Sequence, residues 1–101
     1  MSLQVRHFFV IKSYRHKGLK ELFETGNSRR VPANFAKRIA RMLEVLDEAE
    51  NLHDLAIPSY AIHPPRGVVP PRYSMSVNGP WPITFQFENG EVHLVDLEQY
   101  Y

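Results

Sequence analysis

Two Asn-Gly pairs, Asn78-Gly79 and Asn89-Gly90, bracket the run Trp81-Pro-Ile-Thr-Phe-Gln-Phe87 and constrain the fold more than any other feature of the chain. A type I′ turn needs positive φ at both central residues, which Asn and Gly tolerate, so an Asn-Gly pair between alternating apolar runs predicts a hairpin. Tyr73-Ser-Met-Ser-Val77, Trp81 to Phe87 and Glu91-Val-His-Leu-Val-Asp96 are therefore expected to lie side by side and antiparallel. Side chains alternate between the two faces of a strand. Trp81, Ile83, Phe85 and Phe87 fall on one side, while Pro82, Thr84, Gln86 and Glu88 fall on the other. One face suits a core; the other is open to carry a site.

Upstream the apolar period changes. Phe8 to Ser13, rich in aromatic and β-branched residues, predicts a first strand. His16 to Thr25 sets Leu19, Leu22 and Phe23 at i, i+3 and i+4 and stops at Gly26, a residue suited to a helix end, which predicts a short helix. A longer helix is expected from near Pro32, a residue favourable at a first helical position, to about Glu50. Its Phe35, Ile39, Met42, Leu43 and Leu46 form the packing face, and Lys37, Arg38, Arg41 and Glu44 are expected in water. After a polar joint at Asn51 to Asp54, Tyr60 to His63 predicts a further strand. Pro64-Pro65 and Pro70-Pro71 then punctuate a loop, and the sheet resumes at Arg72. The order β-α-α-β-β-β predicts an α+β fold. An N-terminal strand and a two-helix hairpin pack on one face of a twisted, mainly antiparallel sheet, and the other face is concave and partly open.

A chain of 101 residues with 44% hydrophobic content is large enough for one core and too small for two. One domain is expected over residues 1–101, with residues 1–6 as a flexible N-terminal extension. The absence of cysteine excludes disulfides and thiolate metal sites. No apolar run approaches the roughly 20 residues needed to cross a bilayer, and Phe8-Phe-Val-Ile11 is too brief for a signal-peptide core. A cytoplasmic protein without membrane contact is expected. His7, His16, His53, His63 and His93 show no metal-ligand spacing, so neither metal nor cofactor is expected. Charge is lopsided: residues 1–45 carry a formal +7 and residues 46–101 carry −6. Such a basic half fits phosphate groups or an acidic protein partner, and equally a solvated helix face.

Five segments then align with one known pattern. Ile11-Lys-Ser-Tyr, Lys17-Gly-Leu19, Ile62-His-Pro-Pro-Arg-Gly67, Val77-Asn-Gly-Pro-Trp-Pro-Ile-Thr-Phe-Gln-Phe87 and Leu97-Glu-Gln-Tyr-Tyr101 occur in the order and spacing of a bacterial toxin family. From Ile11 to Tyr101 the chain resembles the HigB-type toxins of the RelE/ParE superfamily, the plasmid maintenance killer proteins. Their landmarks are Ile-Lys-Ser-Phe, Lys-Gly-Leu, His-Pro-Leu-Lys-Gly, Val-Asn-Gly-Asn-Trp-Arg-Ile-Thr-Phe-x-Phe and a Tyr-Glu-Asp-Tyr-His end. Three departures from that pattern bear on the chemistry. Arg66 replaces a lysine, Pro82 replaces an arginine, and Gln99 and Tyr101 stand where an acid and an imidazole are usual.

The resemblance implies a ribosome-dependent mRNA endonuclease that is silenced by a cognate antitoxin, a HigA-like helix-turn-helix protein. Such toxins cut messenger RNA in the A site of the 70S ribosome by letting a ribose 2′-OH attack the adjacent phosphate, without a metal. The protein must take a proton from the 2′-OH, stabilise a phosphorane and protonate the leaving 5′ oxygen. His63 stands at the family's histidine, and an imidazole exchanges protons near neutral pH. Arg66 suits charge stabilisation, because a guanidinium forks onto phosphate oxygens and does not give up its proton. Tyr100 matches the penultimate tyrosine and can stack on a base. By this resemblance His63, Arg66, Gln99 and Tyr100 form the catalytic set, and Arg72, Asn78 and Tyr101 contact RNA. The residues also admit plainer readings, with His63 a structural histidine and Tyr100 and Tyr101 tying the C-terminus to the sheet. The competing function is a non-catalytic module on the same scaffold, binding an antitoxin or operator complex, or inhibiting gyrase as ParE-like proteins do.

Overall fold

The computed structural model describes residues 8–63 and 71–98. Strands β1 (Arg72–Asn78), β2 (Trp81–Glu88) and β3 (Glu91–Leu97) form an antiparallel sheet in that spatial order. Glu88 pairs with Glu91 across Asn89-Gly90, whose φ angles of 54° and 76° give the paired positive values of a type I′ turn. The first hairpin departs from expectation. Asn78 pairs with Trp81, so the loop residues are Gly79 and Pro80, and of these Gly79 alone has positive φ, 47°. Proline is locked near −65° and cannot be the second residue of a type I′ turn, so the turn moves one residue along. A bulge between Ser76 and Asn78 absorbs the shift.

Pro82 lies in the middle strand without breaking an inner rung. Its carbonyl accepts the Glu98 N–H at 3.0 Å. The N and O of a strand residue point to the same neighbour, so the missing donor faces the chain just past the end of β3.

Helix α1 (Lys17–Thr25) begins at His16, whose Nδ1 accepts the Leu19 N–H at 3.1 Å, and closes at Gly26 in the left-handed region, φ 81°. A 3-10 turn, Ala33–Phe35, leads into α2 (Ala36–Glu48). Leu19, Leu22, Ile39, Met42, Leu43 and Leu46 are buried with Met75, Ile83, Phe85, Val92 and Val95 in one core. Burying each such aliphatic side chain is worth about 1.5–3 kcal/mol, so this contact holds the helices on one face of the sheet.

Two expected strands are not continuous ladders. The segment from Phe8 joins β3 through two isolated parallel bridges, Ile11 to Val92 and Tyr14 to Val95. Positive φ at Val10 (47°) and at Leu94 (50°), beside a bulge in the β2–β3 register, interrupts the pairing. The segment is instead stitched on two sides. Phe9 N–H donates to the Ala49 carbonyl at 2.7 Å and Val10 N–H to that of Asp47 at 3.2 Å, occupying carbonyls at the end of α2, while Lys12 N–H donates to Val92 at 2.8 Å. Tyr60 to His63 is likewise not a strand. Pro58–Tyr60 is a 3-10 turn, Ala61 is left-handed at φ 45°, and His63 makes one antiparallel bridge to Ser74. Proline at the head of the turn favours tight winding, and a left-handed residue cannot continue an extended ladder.

Candidate functional site

The sheet face away from the helices gathers the polar side chains. Directly opposed residues of antiparallel neighbours project to the same face. His63 bridges Ser74, Ser74 pairs with Thr84, and Thr84 pairs with Asp96, so the four form one cross-strand row. The next row is Arg72, Gln86 and His93. With strands about 4.8 Å apart, His63 and Thr84 stand roughly 10 Å from each other across the sheet. His63 is exposed, and its N–H donates to the Ser74 carbonyl at 2.9 Å, so its backbone is fixed where its ring meets solvent.

A relay links the two rows. Arg72 Nη2 donates to Thr84 Oγ1 at 2.8 Å and to the Leu94 carbonyl at 2.9 Å, and the Thr84 hydroxyl donates onward to Glu98 Oε2 at 2.5 Å. Thr84 is only 3% exposed, so its hydroxyl is held almost dry between a guanidinium and a carboxylate. Hydrogen bonds to ionised partners are short and about twice as strong as neutral ones, which fixes the Arg72 cation at one height over the sheet. Leu94 presents its carbonyl to Arg72 from the left-handed region, and its N–H is tied to Ser13 Oγ at 2.9 Å. Strain of about 1–3 kcal/mol at such a residue persists where surrounding bonds over-determine it.

Of the residues singled out in the sequence, the structure brings His63 and Arg72 to neighbouring rows of one face. Asn78 is exposed at the far end of β1, about 20 Å from Arg72 along the strand. Arg66, Gln99, Tyr100 and Tyr101 lie outside the described residues. Thr84 and Glu98 enter the site without a motif pointing to them. The available signal was strand alternation, which puts a lone threonine on the polar side of an otherwise apolar run.

Two histidines have other work. His16 caps α1, and His93 Nε2 lies 3.3 Å from Glu91 Oε1. Arg38, expected in water, is instead half-buried, with Nε donating to the Val77 carbonyl at 2.7 Å and Nη2 to that of Ser59 at 2.7 Å. The bulge leaves carbonyls that β2 does not use, and a guanidinium from the first turn of α2 reaches them. Among the described residues no group of three His, Asp or Glu is placed to hold a metal ion, and no helix is long and apolar enough to cross a membrane.

Residues 12–100 match the family model described as the RelE-like toxin of the type II toxin-antitoxin system HigB. The chain is 40% identical over 92 residues to the Endoribonuclease HigB of Proteus vulgaris, an alignment covering 91% of this chain and all of that relative. It is 28% identical over 90 residues to an uncharacterized protein of Haemophilus influenzae, covering 84% of this chain and 86% of that one.

Proposed function

Because the chain belongs to the HigB family of RelE-like toxins of type II toxin-antitoxin systems, we propose that it is an endoribonuclease that cuts messenger RNA in the ribosomal A site. A type II toxin has an antitoxin as its partner; here we take that partner to be a HigA-like helix-turn-helix protein, and the setting to be the cytoplasm. The observation that carries the reading is the polar sheet face, where exposed His63 stands one row from the anchored Arg72 guanidinium.

The chemistry asks for proton transfer at two oxygens and for positive charge around a phosphorane. His63 moves a proton between the 2′-OH or leaving oxygen and solvent. Arg66 and Arg72 oppose the charge that builds on the phosphate oxygens. Tyr100 stacks on the exposed base, a contact typically worth about 1–3 kcal/mol that orients a nucleotide without reading it. Gln99 and Tyr101 complete the contact from the same terminal segment, which follows directly on Glu98, the residue bonded to Thr84. Asn78, distant from this cluster, serves RNA outside the scissile step.

Toeprinting of translating ribosomes tests the proposal. Wild-type protein should produce breaks in the A-site codon, and His63→Ala and Arg66→Ala should each lower the cleavage rate by about a hundredfold or more. Growth arrest with intact messages and altered DNA supercoiling would overturn it in favour of a gyrase inhibitor.

A further inference from the structure

The Arg38 guanidinium makes three backbone bonds, and together they tie the end of β1 to the segment that leads into His63. Nε donates to Val77 O at 2.7 Å, Nη2 donates to Ser59 O at 2.7 Å and to Ser76 O at 3.3 Å, and the guanidinium carbon sits 5.2 Å from the centroid of the Tyr60 ring. Ser59 and Tyr60 belong to the 3-10 turn that ends three residues before His63.

The edge of β1 explains why this matters. Ser74 and Ser76 are two residues apart, so their carbonyls point the same way, outward from β2. Ser74 O takes the His63 N–H at 2.9 Å, and Ser76 O takes Arg38. The segment from Ser59 to His63 is thus fastened to this edge at two points about 7 Å apart. Between them Ala61 is held left-handed, its N–H donating to Pro58 O at 3.2 Å. With one fastener the segment can pivot about the other. With both, the height and direction of residue 63 over the sheet are set.

We propose that Arg38 is a positioning residue for His63, its guanidinium standing in for a missing rung between β1 and the segment that carries the imidazole. The inference rests on the reading of His63 as the proton-transfer group. It requires the planar fork of arginine, because a lysine ammonium is a compact charge on a flexible stem and cannot bridge three carbonyls at these angles.

The test is a double-mutant cycle in ribosome-programmed cleavage, with amide exchange as a structural readout. Arg38→Lys should lower the maximal rate by about a hundredfold, the cost of an ångström of misplacement at a reacting group, and leave the half-saturating ribosome concentration nearly unchanged. In a His63→Ala background the same substitution should cost nothing further. Exchange of the His63 amide should quicken while that of Phe85 in the core stays slow. Ala61→Gly, which folds without positive-φ strain but frees the pivot, should lower the same rate. A wild-type rate in Arg38→Lys, an additive loss on His63→Ala, or an unchanged His63 amide overturns the positioning role. Full activity of His63→Ala alone overturns the reading beneath it.

Discussion

Thr84 uses one hydroxyl for two charged partners, accepting from Arg72 and donating to Glu98. Valine has nearly the same shape and can do neither. Thr84→Val is therefore expected to cost about 1–3 kcal/mol of stability in urea unfolding, since it leaves two charge-bearing groups short of a buried partner. Cleavage should fall further than stability accounts for, because Arg72 loses its link to Thr84 and keeps the one to the Leu94 carbonyl. Tyr14 offers a contrasting case. Its hydroxyl is buried with no hydrogen-bond partner among the described residues, and burial first, then Asp47 and Glu24, raise its pKa well above the usual tyrosine value near 10. A raised folded-state pKa gives stability that is complete below the unfolded value and is lost as pH climbs through the folded one. Thermal stability should accordingly begin to decline above about pH 10. Tyr14→Phe should flatten that decline and cost little at neutral pH, as melts across pH 8 to 11 would reveal.

Gly18 belongs to the scale of the helix pair. A Cβ built there would lie 2.7 Å from Arg30 Cβ, 2.7 Å from His16 Cε1 and 2.8 Å from Arg30 O. Alanine is ordinarily the better helix former by about 1 kcal/mol, yet here backbone and capping ring must move. Gly18→Ala should lower the melting temperature, with a net cost of about 1–3 kcal/mol from overpacking. The Lys-Gly-Leu motif thus marks a close approach between α1 and the loop before α2. Elements with strong periodicity were the legible ones. The stripes at Leu19 and Leu22 and at Ile39 to Leu46 are buried as their spacing requires, and Asn89-Gly90 makes the turn its residues favour. Asn78-Gly79 did not, because Pro80 takes part in the loop and its ring excludes positive φ. Tyr60 to His63 has strand-like residue types, but preference for a pleated surface counts for little where Pro58 winds the chain and Ala61 reverses it. Arg38 was equally opaque, since helical spacing assigns it to water and the carbonyls that claim it exist only after the sheet has formed its bulge.

At the scale of the whole molecule, the α+β layering was written in the alternation of periods, whereas the site depends on pairings that no local pattern encodes. His63 and Arg72 share a face because of a single bridge and a register, and Thr84 and Glu98 join through bonds spanning 12 and 14 residues. Links longer still close the protein: Ser13 holds Leu94 across 81 residues, and Lys12 holds Val92. Contacts so remote in sequence form late, since loop closure must precede any reward. While a copy is being synthesised, Phe8 to Tyr14 is made long before β3, and until β3 follows it has no partner strand. Phe8 to Tyr14 thus leaves the ribosome with bare amide groups, and the edge it will cover is closed only when β3 has followed.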